Sequence, residues 1–63
     1  MSIYAVVLEK VKEVPAQTAA QLAVKLDVEE TPVDLALSLL VKDGRVTKSG
    51  SGAGATYTST AQQ

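Results

Sequence analysis

Cysteine, histidine, phenylalanine and tryptophan are all absent from this 63-residue chain. Without cysteine there are no disulfides and no thiolate chemistry, and without histidine the common zinc ligands are gone as well. A domain this small with no disulfide framework fits a reducing cytoplasm rather than secretion. With only two tyrosines as aromatics, the chain has no stacking platform for RNA bases. An excess of positive charge is also missing. Six basic and seven acidic residues give a net charge of −1, whereas dedicated nucleic-acid binders are usually basic. Long hydrophobic runs are lacking too. Ile3 to Leu8 is apolar but short, has no basic leader and runs into Glu9, Lys10 and Lys12, so neither a signal peptide nor a membrane span is expected.

What is present is a run of short, punctuated helical patterns. A chain of this length makes one domain and buries only about 60% of the surface its unfolded form exposes. Ile3, Tyr4, Val7, Leu8, Val11 and Val14 recur at helical spacing, with Glu9, Lys10, Lys12 and Glu13 opposite. This predicts a first helix over Ser2–Glu13, with Ser2 as N-cap and Pro15 closing it. Thr18-x-x-Gln21 fits a capping box that opens a second helix, with Ala19, Leu22, Ala23 and Leu26 as its buried stripe. That helix ends near Asp27, a residue type that tolerates a left-handed turn. Val28 is expected to plug the core. Thr31-Pro32 is expected to start a third helix with Thr31 as N-cap, running to about Asp43 and ending at Gly44. Arg45–Ser49 reads as a strand with Val46 inward and Arg45, Thr47 and Lys48 outward. Gly50–Gly54 reads as a hairpin tip, because strand-like sequence flanks it on both sides, and Ala55–Ser59 as the return strand.

The expected fold is therefore α+β: a winged helix-turn-helix of three helices and a small antiparallel β-hairpin wing. Residues 1–59 form the domain, with a third short strand at Ala16–Gln17, and residues 60–63 form a flexible tail. A helix-turn-helix followed by a wing usually inserts its second helix into the DNA major groove.

The pattern Leu22-Ala23, Leu26, Val28, Val33, Ala36-Leu37, Leu40, Gly44, Val46 resembles the winged helix-turn-helix domains of bacterial transcription regulators. Ala23 matches the close crossing of the two helices, Val28 the turn plug, and Val33 and Ala36 the inward positions of the recognition helix. Asp27 stands where many such turns place Gly. Gly54-Ala55-Thr56-Tyr57 resembles the return strand of small fimbrial-operon regulators of the PapI/FaeA type. Thr18–Ser59, about two-thirds of the chain, carries the likeness. It implies a small cytoplasmic transcription regulator that binds double-stranded DNA, and the few cations available to contact phosphate make that binding weak for a monomer.

The chemistry of the third helix pulls the other way. Val33, Ala36, Leu37 and Leu40 cluster toward the core, leaving Asp34, Leu35, Ser38, Leu39 and Lys42 outward. Readers of base edges and phosphates tend to be Arg, Lys, Asn or Gln. Here Thr31 and Ser38 are the polar candidates, and Glu29, Glu30 and Asp34 crowd the end that should meet phosphate. These three carboxylates either satisfy the helix N-terminus and the surface, or steer the face away from DNA toward a basic partner. Leu35 and Leu39, four apart and so adjacent, are either covered by the first helix or a terminus, or form a dimer or partner contact. Lys25, Lys42, Arg45 and Lys48 are either solvated surface or phosphate contacts. Four such contacts predict a salt slope of about −3.6. DNA binding through Thr31, Ser38, Lys42, Arg45, Lys48 and Lys25 is the first expectation. The alternative is an interaction or dimerisation module built on Leu35 and Leu39. No enzyme, cofactor or metal site is expected: no histidine activates Ser or Thr, and the Gly50–Gly54 run precedes a strand instead of the helix a phosphate loop needs.

Overall fold

Ser2 caps the first helix, α1 (Ile3–Glu13), its side-chain oxygen accepting from the Ala5 N–H at 3.2 Å. In the computed structural model, which describes residues 2–60, α1 is followed by β1 (Gln17–Thr18), α2 (Ala19–Leu26), α3 (Glu30–Lys42), β2 (Val46–Ser49) and β3 (Thr56–Ser59). A single 3-10 turn, Gly52–Gly54, shapes the loop between β2 and β3. This is the expected α+β architecture, three helices and a hairpin wing, and the strands form one antiparallel sheet in the order β1–β3–β2.

The third strand sits one residue later than Ala16–Gln17. Ala16 has φ +57°, a left-handed conformation that cannot continue a strand, so pairing begins at Gln17 opposite Tyr57 and ends at Thr18 opposite Thr56. Thr18 therefore ends β1 and caps α2 at once. Its hydroxyl accepts from the Gln21 N–H at 3.2 Å, and the Gln21 side-chain oxygen accepts from the Thr18 N–H at 2.9 Å. Thr18→Ala breaks this reciprocal cap and is expected to cost about 1 kcal/mol, measured as a lowered urea midpoint at unchanged slope.

Both helices of the helix-turn-helix end in the same way. After α2, Asp27 adopts φ +57° and ψ +48°. The Asp27 N–H then donates to the Val24 carbonyl at 3.1 Å and the Val28 N–H to the Ala23 carbonyl at 3.0 Å. After α3, Gly44 takes φ +76°, its N–H donates to Val41 O at 3.0 Å, and the Arg45 N–H donates to Leu40 O at 2.9 Å. Each is a Schellman closure, which satisfies the last carbonyls by reversing the chain through one left-handed residue. The closure corrects the expectation for Val28. The residue just past the left-handed position folds back over the helix end, beside Ala23, and stays 40% exposed instead of plugging the core.

The start of α3 also differs from expectation. Glu29 occupies the N-cap position, without a side-chain cap bond, and the helix begins at Glu30. Thr31 is thus inside the helix and not its cap. Pro32 falls at the third helical position, where the missing N–H has no intrahelical partner to lose, so it is tolerated there as well as at the first.

The core is small and aliphatic. Val7, Val11, Leu22, Val33, Leu37 and Leu40 are fully buried, drawn from all three helices, and the sheet adds Val46, Ala55 and Tyr57. α1 lies across α3 and also touches β3. Its start is tied to the end of α3 by the Tyr4 hydroxyl, which donates to Asp43 Oδ2 at 2.6 Å. Thr60, read from the sequence as part of a tail, is anchored: its hydroxyl donates to the carbonyls of Gly44 and Arg45 at 3.2 and 3.1 Å. The rest of that tail lies outside the described residues. Among the described residues, no helix is long and apolar enough to cross a membrane.

Candidate functional site: the outer face of the third helix

Seven positions of α3 are exposed: Glu30, Thr31, Asp34, Leu35, Ser38, Leu39 and Lys42. Their spacing resolves them into two adjacent rows four residues apart. One row is polar, Glu30–Asp34–Ser38–Lys42, acidic at its start and basic at its end. The other, Thr31–Leu35–Leu39, is apolar over its last two members. Leu35 is 64% exposed and Leu39 51%, so neither α1 nor any other described segment covers the pair. Of the two alternatives open in the sequence, cover by the first helix is excluded among the described residues.

The hairpin faces the polar row. β2 and β3 pair in the register Val46 with Ser59 and Lys48 with Tyr57. Alternation along a strand then puts Val46 and Lys48 on one face of the hairpin and Thr47 on the other. Val46 is buried, so that face is the one turned to the helices. Lys48 accordingly borders a cleft of about 390 Å³ whose lining includes Glu30, Asp34 and Ser38 of α3, Gly52 and Ala53 of the wing, and Tyr57. Lys48 stays exposed, as expected, while bordering this cleft. The period-two pattern Val46, Lys48 is in the sequence, and only the position of α3 shows that the lysine shares its cleft with two carboxylates. At the same cleft, burial pushes the Tyr57 phenol above its ordinary value of 10.0, and the charge of Asp34 adds to the rise. A neutral phenol is thus favoured beside the acidic row.

The other cations expected to touch phosphate lie elsewhere. Arg45, fixed by the closure of α3, shares a shallow groove with Lys12, Leu8, Gly44, Ser59 and Thr60. Lys25 lies in another, with Gln17, Ala20, Gln21 and Val24. Of the expected DNA contacts, the structure brings Thr31, Ser38 and Lys42 onto one face together with Leu35 and Leu39. It places Lys25, Arg45 and Lys48 in three separate grooves. Four carboxylates, Asp27, Glu29, Glu30 and Asp34, gather around the turn and the start of α3. The ion pairs found among the described residues are Lys10–Glu13 at 3.0 Å and Lys12–Glu9 at 3.3 Å, both on α1.

Val24, 81% exposed on α2, was not singled out from the sequence. Its place outside the stripe Leu22, Ala23, Leu26 is the signal that marks it. No cluster of acidic residues among those described is arranged to hold a metal ion. No known family model matches the chain, and no curated protein or solved structure does so either.

Proposed function

We propose that this chain is a winged-helix protein-interaction module whose contact surface is the outer face of α3, centred on Leu35 and Leu39. The observation that carries it is the pairing of two half-exposed leucines, adjacent on the helix that a winged helix holds outward, with cations dispersed over separate grooves. An adjacent apolar pair on so small a surface is stabilised by removal from water. A polyanion meeting the same face encounters Glu30 and Asp34 first, and like charges repel. The module fits a cytoplasmic location, since it needs no disulfides to hold together.

Titration with mixed-sequence duplex DNA at low salt tests this. The expected result is no saturable binding. Binding that weakens steeply as salt rises, and that Arg45→Ala with Lys48→Ala removes, overturns the proposal in favour of the second reading. That reading is a DNA-binding transcription regulator, using helix 3 and the wing. It is favoured by the architecture itself: a helix-turn-helix followed directly by a hairpin whose tip, Gly50 to Gly54, is exposed.

A further inference from the structure

We infer that the partner of this face is a second copy of the chain, docked antiparallel, α3 against α3, about a two-fold axis crossing the helix near Ser38. The inference rests on the proposed protein-contact role of α3 and names its partner.

The argument is charge complementarity within a single helix face. The polar row runs Glu30, Asp34, Ser38, Lys42, and the apolar row beside it carries Leu35 and Leu39, all exposed. A two-fold axis perpendicular to the helix and lying in the contact plane reverses direction but keeps each row on its own side. Polar row then faces polar row, and apolar row faces apolar row. Leu35 of one copy meets Leu39 of the other, twice. Asp34 comes opposite Lys42 of the second copy, again twice, and the two Ser38 side chains meet near the axis. This is the self-complementarity that an isologous interface requires. A parallel arrangement puts the two polar rows on opposite flanks and leaves Asp34 and Lys42 unmatched. The helix dipoles also oppose in the antiparallel pair, acidic N-terminal turn beside basic C-terminal turn. The wing borders Glu30, Asp34 and Ser38, the N-terminal part of the row, so the two wings lie toward opposite ends of the helix pair.

The contact is small. A 13-residue helix is about 20 Å long, and one such face falls below the roughly 1,200–2,000 Å² of a stable interface. The dimer is therefore expected to be weak and to form only in concentrated solution.

Sedimentation equilibrium of the full chain up to about 1 mM tests the inference. The expected result is a mass rising toward the dimer for the unaltered chain, and a monomer throughout for Leu35→Glu with Leu39→Glu. Asp34→Lys alone sets lysine against Lys42 at both ends, and Lys42→Asp alone sets aspartate against Asp34 at both ends. Each is expected to weaken self-association about tenfold or more, as like charges directly opposed suppress pairing. Mixed in equal amounts, these two variants restore both opposite-charge pairs and recover a dimer. Far-UV circular dichroism confirms that each stays folded, as exposed substitutions should. An unaltered chain that is monomeric at the highest concentration overturns the second copy as partner, as does a dimer insensitive to the leucine changes or a mixture that fails to recover pairing. Those outcomes leave the protein-contact role of α3 standing, provided duplex DNA does not bind. Salt-sensitive DNA binding overturns that role whatever the sedimentation shows.

Discussion

Replacing Leu37 by alanine is expected to remove about 2–5 kcal/mol of folding stability, while the same change at Leu35, two positions earlier on the same helix, leaves stability within about 0.5 kcal/mol. The contrast follows from position alone. Leu37 is fully buried and Leu35 is 64% exposed. The loss at Leu37 is severe because of what surrounds it. With no phenylalanine or tryptophan in the chain, Leu22, Leu37 and Leu40 are the largest fully buried side chains, followed by Val7, Val11, Val33 and the polar Ser59. Valines have one χ1 and little freedom to swing into a void, so a cavity at Leu37 stays open and its lining forfeits dispersion contacts. A 63-residue domain has a total stability of roughly 3–9 kcal/mol. One such substitution removes from about a quarter of it to all of it. Urea unfolding followed by far-UV circular dichroism checks both variants. Equal losses at the two positions would mean that α3 is rotated about its axis relative to this structure.

The frame of the fold was legible because local rules decide it. Ser2, Thr18 with Gln21, and Asp27 each act on backbone groups within a few residues, and each does in the structure what its side chain permits. The inward stripe Val33, Ala36, Leu37, Leu40 and the outward pair Leu35, Leu39 follow from helical periodicity. The misread positions are those where geometry beyond the nearest residues decides. Thr31-Pro32 matches a helix start, yet proline is tolerated anywhere in the first turn, so the pair does not fix the first residue. Val28 looked like a core residue because it is a lone apolar side chain in a turn, but the left-handed Asp27 turns it over the end of α2. Ala16 carries no signal that foretells a left-handed backbone. For the site, the composition of the face was readable and its surroundings were not. Facing Lys48 toward Glu30 and Asp34 depends on strand register and on where α3 lies against the sheet. The dispersal of Lys25, Arg45 and Lys48 over separate grooves depends on the whole fold.

If α3 is held outward as in other winged helices and only its side chains turn it from DNA, then changing those side chains is expected to create DNA binding. Asp34→Arg, Leu35→Arg and Ser38→Arg place three guanidinium groups on exposed positions of α3, where arginine is a good helix former and core packing is untouched. One charge reversal and two added charges take the net charge from −1 to +3. The unaltered chain should show no binding to mixed duplex at low salt. The triple variant should bind in about the 1–100 µM range, with affinity falling at a log–log salt slope of about −2.7 for three phosphate contacts. Net charge alone also attracts DNA, so a matched control is needed. Glu9→Arg with Glu13→Arg reaches the same +3 on the exposed face of α1, at the cost of the two surface ion pairs there, which contribute little stability. The same four-unit rise in net charge, placed on a face that does not fit the groove, should give binding about tenfold weaker, since non-specific attraction remains but the groove fit is lost. Fluorescence anisotropy with a labelled duplex reads both variants. Equal affinities would mean that shape contributes nothing and that α3 is not presented as a recognition helix. A clear preference for the arginines on α3 would show that the scaffold can still enter a major groove, and that Asp34, Leu35 and Ser38 are what keep it out.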